Sequence, residues 1–281
     1  MLVGAADTDA DALVFDLEDG VGPDRKAEAR ETARSVLSDD EFDPAAECFV
    51  RVNPIESGGH PGESVAGVDL REIAPAADAI DGIVLPKTGS AADVRRLAGL
   101  LRTNGLPRTI LALVETAAGV QSAAEIASAG ATDGLVLGTE DLAADVGSSP
   151  SADRNESNYA RQRVVTAAAA ADVDAIDTLW TDFEDEAGLS DDAADAVALG
   201  YDGKLAIHPA QVGPINEAFT PDPAQRDWAG RVLAARTEAG DRGVFAVDGE
   251  MIDAPLLARA ERIAERARAA GFDSVHDVDD R

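Results

Sequence analysis

Short apolar runs recur along the chain at 12–15, 48–52, 83–85, 110–114, 134–137, 173–176 and 205–207, each about the length of a buried strand. Between them lie stretches whose apolar positions follow a helical period, at 23–37, 91–101, 118–129, 159–171 and 191–199. Strand and helix alternate every 25–40 residues or roughly so, which predicts a parallel sheet covered by helices. Several runs lack any polar alternation, as strands buried on both faces require. The stretch 110–141 is the clearest case: two strands flank a helical crossover, and each strand ends in acid, Glu115 in one case and Glu140 with Asp141 in the other.

An open doubly wound sheet competes with a closed (β/α)8 barrel. No glycine-rich phosphate loop follows the first strand, which weakens the dinucleotide-binding version. In order, the strands end in Asp16, Glu18 and Asp19, then Arg51 and Asn53, Lys87, Glu115, Asp141, Asp177 and His208. Polar groups at every C-terminal strand end meet at one point only if the strands form a ring, so a TIM barrel is expected. Seven strands are visible, and the eighth belongs ahead of residue 12. Beyond His208 the pattern turns helical at 211–219, 227–239 and 254–270, with a strand-like run at 243–247 and a turn at Asp248 and Gly249. We therefore expect a barrel over 1–220 and a C-terminal helical lid or oligomerisation segment over 221–281, divided at the turn-prone 220–223.

Composition narrows the partners. Across 281 residues, 54 Asp and Glu stand against 24 Lys and Arg, a formal net charge of −30 spread along the whole chain. Phosphate repulsion makes nucleic acid an unexpected partner. A charged surface of this kind suits a halophilic cytoplasmic protein working in concentrated salt. No apolar run approaches the roughly 20 residues of a membrane span, and neither a span nor a secretory leader is expected. The single cysteine, Cys48, allows no intrachain disulfide and reads as a small core residue.

Eight motifs occur in fixed order: LVFDLEDGVGPDRKAEAR, FVRVN, GIVLPK, LVETAAGV, LGTEDLAADVG, GYDGKLAIHPAQV, NEAFTPD and DGEMIDAPLLARA. Any one would be weak, but together they span nearly all of the chain, which closely resembles the citrate lyase β-subunit/malyl-CoA lyase group of the HpcH/HpaI aldolase family. The resemblance implies a TIM barrel, a divalent cation (Mg²⁺, with Mn²⁺ as an alternative), and reversible carbon–carbon cleavage of short 3-hydroxyacyl-CoA thioesters such as malyl-CoA, β-methylmalyl-CoA or citramalyl-CoA. It assigns Glu115 and Asp141 to the metal, with Glu140 the neighbouring alternative. Hard carboxylate oxygens suit a cation that keeps several waters. Arg51 matches the arginine that grips the oxo acid, where a guanidinium fork suits a carboxylate; an ion pair with Asp16 or Glu18 is the plainer reading.

Glu18 and Asp19 match acids near the reacting end of the substrate. Arg25, Lys26 and Arg30 match a basic cluster that meets coenzyme A phosphates, against a plainer reading as solvated pairs with Glu28 and Glu31. Lys87 is a secondary substrate-binding residue, and His208 is expected to shape the rim. Asp253 matches a catalytic aspartate that a lid delivers into the neighbouring subunit's site, implying a homotrimer or hexamer; its plainer role is to cap the helix that follows. The family's usual opening strand, resembling RSxLFVPG, is not found here, and a start placed late is the expectation. The remaining alternatives are a malyl-CoA thioesterase, a CoA-free aldolase, a citrate lyase subunit working on an acyl-carrier protein, and a truncated non-catalytic homologue.

Overall fold

The structure, a computed structural model, describes residues 8–55, 64–149, 151, 154–240 and 242–272. These fall into two compact units, Met1–Val212 and Gly213–Arg281. The first unit carries a parallel sheet of seven strands in strict chain order: β1 (Ala12–Asp16), β2 (Glu47–Arg51), β3 (Gly82–Leu85), β4 (Thr109–Val114), β5 (Gly134–Leu137), β6 (Asp174–Asp177) and β7 (Gly203–Lys204). The connecting α-helices are α1 (Lys26–Leu37), α2 (Val65–Ile73), α3 (Ala91–Asn104), α4 (Ala117–Ala127), α5 (Thr139–Val146), α6 (Asn158–Ala171) and α7 (Glu186–Leu199). Sequential parallel strands with a helical crossover after each are barrel topology. Among the described residues β1 and β7 are the two edges of this curled sheet.

Both faces of the sheet are buried, for different reasons. Ile83, Leu85, Ile110, Ala112, Val114, Leu135 and Leu137 form the row that faces the helices. The alternate row supplies Phe49, Val84, Leu113 and Val136, which cluster with Leu111, Ile176 and Leu205 on the concave side. Side chains from β2 through the end of β7 meet in one cluster because the sheet curls around them. Gly82 pairs with Phe49 across β2 and β3, and a Cβ there would stand 2.4 Å from the Phe49 ring, so this position accepts no side chain. Val14 shares the concave face with its register partner Phe49, yet it is 43% exposed because β1 is an edge.

Two local expectations shift. The last strand forms at Gly203–Lys204 and not over 205–207. An apolar-run reading passes over a lysine, but the Lys204 side chain is fully buried and ion-paired with Asp177 and Asp192. The segment holding Glu140 and Asp141 is the first turn of α5, where the expectation was an extended strand end.

The second unit contains α8 (Val212–Phe219, beginning at the unit boundary), α9 (Pro223–Ala239) and α10 (Ala254–Ala269), with an antiparallel hairpin of β8 (Phe245–Val247) and β9 (Glu250–Ile252). Asp248 and Gly249 take φ of 51° and 85° in its two-residue turn, the primed geometry that matches strand twist. Ala229, Val232, Val247, Ile252, Ala260 and Ile263 form the core of this unit.

Candidate active site

The C-terminal ends of β1 to β5 carry the polar groups. Asp16 ends β1 and is the register partner of Arg51, which ends β2, so the two side chains share the concave face. Arg51 donates Nε and Nη2 to Asp16 at 2.7 and 2.6 Å, a bidentate fork. Burial raises the Asp16 carboxyl, but the Arg51 guanidinium and the amides of Glu18 and Gly20 outweigh it and hold the group low. Those amides donate to Asp16 at 2.8 Å each, which folds the DLEDG loop around the carboxylate. The ion pair anticipated as the plainer reading of Arg51 is therefore present.

The same loop turns Glu18 inward, where it is 2% exposed. Its Oε1 accepts from Lys87 Nζ at 2.5 Å, while its Oε2 lies 3.5 Å from Arg51 Nη1 and accepts no hydrogen bond. Burial raises the Glu18 carboxyl, and the opposing pull of Lys87 and Arg51 does not cancel that. Lys87 also donates to Asp19 at 2.9 Å and stands 3.8 Å from Asp141. One ammonium thus stands within ion-pair range of acids from the loop after β1 and from the first turn of α5 after β5, two strands away on either side, which only a curled sheet permits.

Glu115 follows β4 and is 3% exposed. Its Oε1 accepts the Lys87 peptide N–H at 2.8 Å. It does not cap the next helix, because Thr116 does so by accepting from Gly119 at 3.0 Å. Burial pushes the Glu115 carboxyl up to about 8; the Lys87 amide lowers it, and the charges of Asp141 and Glu18 raise it further. Gly138 gives the side chain room, since a Cβ there would meet Glu115 Oε2 at 2.8 Å. Asp141 sits in the first turn of α5, where an acid also complements the helix dipole. Glu140 lines a separate cavity of about 160 Å³ among α4, α5 and α6, so it is Asp141 that faces Lys87.

The basic trio after β1 is not a free cluster. Arg25 is exposed and paired with Glu28. Lys26 donates to the carbonyls of Leu17 and Glu18 at 2.8 and 2.6 Å, bracing the DLED loop. Arg30 donates to the buried Asp69 at 2.6 Å, and Asp69 in turn takes both the amide and the side chain of Asn53. In so acidic a chain each base finds an acceptor close by, and Arg25 alone keeps its head in solvent. Asp69 was not singled out from sequence; a lone acid in the amphipathic pattern of α2 gives no signal that it is buried.

At the far side, Asp177 is fully buried against Arg161 (2.5 Å) and Lys204 (3.3 Å) and belongs to a structural ion cluster with Asp192. His208 caps a 3-10 turn by accepting from Ala210 at 3.2 Å, and it stacks on Phe183 with centroids 5.0 Å apart. Asp253, in the second unit, caps α10 by accepting from Leu256 at 3.3 Å. Among the described residues no three or more His, Cys, Asp or Glu gather closely enough to hold one ion. Mg²⁺ typically keeps several waters and takes only one or two protein carboxylates.

Comparison with known proteins shows the family to which the chain belongs. The family model described as HpcH/HpaI aldolase/citrate lyase matches residues 1–209. A citrate lyase subunit beta-like protein of Mycobacterium tuberculosis is 39% identical, over 93% of this chain and 89% of its own. A mitochondrial citramalyl-CoA lyase of Mus musculus is 34% identical over 92% and 79%, and a (3S)-malyl-CoA thioesterase of Cereibacter sphaeroides 35% over 92% and 87%. The crystal structure of CitE from Mycobacterium tuberculosis in complex with magnesium, acetoacetate and coenzyme A superposes with a TM-score of 0.74 at 37% identity, covering 95% of this chain and 92% of that one. The chain belongs to the HpcH/HpaI aldolase/citrate lyase family of enzymes.

Proposed function

We propose that this protein is a Mg²⁺-dependent carbon–carbon lyase that cleaves a short 3-hydroxyacyl-CoA reversibly into an acyl-CoA and a small 2-oxo acid, in the cytoplasm and as a homotrimer or hexamer. The observation that carries this reading is the convergence of Glu18, Arg51, Lys87, Glu115 and Asp141 at one end of the curled sheet. The fit to a cation rests on two features of the crevice: Glu18 Oε2 is buried without a hydrogen bond, and Glu115 is a desolvated carboxylate whose neighbours Asp141 and Glu18 add negative charge. Glu115 and Asp141 would hold the ion, with Mn²⁺ acceptable to the same oxygen donors. When bound, it supplies Lewis-acid polarisation of the oxo-acid oxygens.

The protein's own groups do the rest. Arg51, preorganised by Asp16, presents the remaining edge of its guanidinium to the substrate carboxylate. Glu18 and Asp19, held by Lys87, line the reacting end, and the concave cluster of Phe49, Val84, Leu113 and Val136 closes its floor to water. In the cleavage direction a base removes the 3-hydroxyl proton, the bond between C2 and C3 breaks, and the electron pair passes to the thioester α-carbon, which is then protonated. Asp253 of a second subunit is our candidate for that proton shuttle. Arg25, exposed and paired only with the solvent-facing Glu28, is the base best placed to meet coenzyme A phosphates, while Lys26 braces the DLED loop and Arg30 is held by the buried Asp69.

A thioesterase reading is favoured by the Cereibacter sphaeroides relative and differs in its products. The test is to incubate the protein with Mg²⁺ and malyl-CoA, citramalyl-CoA or their β-methyl analogues, and to follow oxo acid and free thiol separately. A lyase releases oxo acid and leaves the thioester intact; a thioesterase releases thiol without oxo acid. Replacing Glu115 with Gln is expected to abolish the oxo-acid signal, and its persistence at the wild-type rate would overturn the assignment.

A further inference from the structure

Lys87 holds φ at 50°, in the left-handed region that a β-carbon disfavours by about 1 kcal/mol. Its neighbour keeps it there. The buried Thr88 donates its amide to Leu113 O at 3.0 Å and its hydroxyl to Leu85 O at 2.8 Å, tying the loop to both flanking strands. Strain of this kind persists where the surroundings over-determine it, and it clusters at functional sites. Here it lets one residue serve three acids at once. The peptide N–H bonds Glu115 Oε1 at 2.8 Å, while the side chain crosses the crevice to Glu18 at 2.5 Å and Asp19 at 2.9 Å. An ordinary surface ion pair needs no strained backbone.

The ammonium stands where a cation is wanted, among carboxylates from the loop after β1 and from the first turn of α5. Its 3.8 Å separation from Asp141 is an electrostatic contact without a hydrogen bond, on a flexible four-carbon stem that can withdraw. We propose that Lys87 is a positioning residue and resident counter-cation of this crevice: its peptide N–H fixes Glu115, and its ammonium offsets Glu18 and Asp19 and competes with a divalent cation for Asp141. This rests on reading Glu115 and Asp141 as the metal carboxylates. A second cation entering the crevice meets like-charge repulsion from the ammonium, so Lys87 lowers divalent affinity while keeping the acids in place. A lysine performs both tasks because its main chain and its side chain act on different acids.

The experiment is a calorimetric titration of Mg²⁺ into the wild-type protein and into Lys87→Met, Lys87→Gly and Lys87→Arg, all at the same pH and salt. All three variants keep the peptide N–H. The glycine variant also meets the left-handed backbone without strain, so it covers the case in which Lys87→Met fails to fold. Loss of the ammonium is expected to tighten Mg²⁺ about tenfold or more in Lys87→Met and Lys87→Gly, with Lys87→Arg close to wild type. Unchanged or weaker binding in Met and Gly variants, beside a wild type that binds, overturns the role given to Lys87 and leaves the metal reading standing. Absence of Mg²⁺ binding in the wild type overturns the metal reading itself, and this proposal with it.

Discussion

Glu115 shows what a single side chain can and cannot announce. Its place after an apolar run marked it as a group at a strand end, yet its environment came from residues far away in sequence: the amide of Lys87, the missing Cβ of Gly138, and the charges of Glu18 and Asp141. Its carboxyl ordinarily titrates at 4.5 and is pushed up to about 8 by burial first. Between those two values the unfolded chain has lost a proton that the folded chain still holds, so stability falls as pH rises across that window. Glu115→Gln removes the titration while keeping an oxygen to accept the Lys87 amide. In chelator, thermal melts should show the variant matching wild type at about pH 5 and exceeding it at about pH 8, by on the order of 2 kcal/mol. Equal melts at both pH values would mean that the carboxyl is not desolvated. Arg51 teaches the complementary lesson: its residue type pointed to a carboxylate partner, but only the register of β1 on β2 made Asp16 that partner.

Among the elements, long periodic segments were legible and short or polar ones were not. The helix at 139–146 escaped notice because its first turn holds the acids that sequence reading assigned to a strand end. The last strand was displaced because burying Lys204 takes the partners Asp177 and Asp192, which lie on other elements. Helix α10 poses a separable question at Asp253, which both caps the helix and is our candidate proton shuttle. Serine caps as well as aspartate, whereas alanine costs about 1 kcal/mol. Asp253→Ser is thus expected to melt with the wild type and to lose lyase turnover, while Asp253→Ala loses turnover and some stability. Wild-type turnover in the serine variant would confine Asp253 to capping.

At the scale of the molecule, a net charge of −30 must be accommodated by a sheet buried on both faces. Exposed carboxylates repel one another over about 10 Å in dilute salt and only about 3 Å in molar salt. The melting temperature should therefore climb steadily as KCl is raised from about 0.1 M to about 2 M, and more steeply with KCl than with an equal osmolarity of sucrose. A melting point indifferent to KCl would remove the case for a halophilic protein. No helix of the described residues is long and apolar enough to cross a membrane.

Barrel class, the order of strands and the family followed from sequence alone, because hydrophobic period and ordered motifs are local and survive without knowledge of contacts. That the strands end in polar groups on one side of the sheet was likewise legible, since chain direction in a parallel sheet places every C-terminal end on one side. Tertiary structure decided which of those groups meet. It paired Arg51 with Asp16, removed Lys26 and Arg30 from the free bases, turned Asp141 and not Glu140 toward the crevice, and set a strained Lys87 between Glu18 and Glu115. Each of these outcomes depends on register, on curl, or on an atom's width of room beside a glycine, and none of those is carried by residue type or spacing.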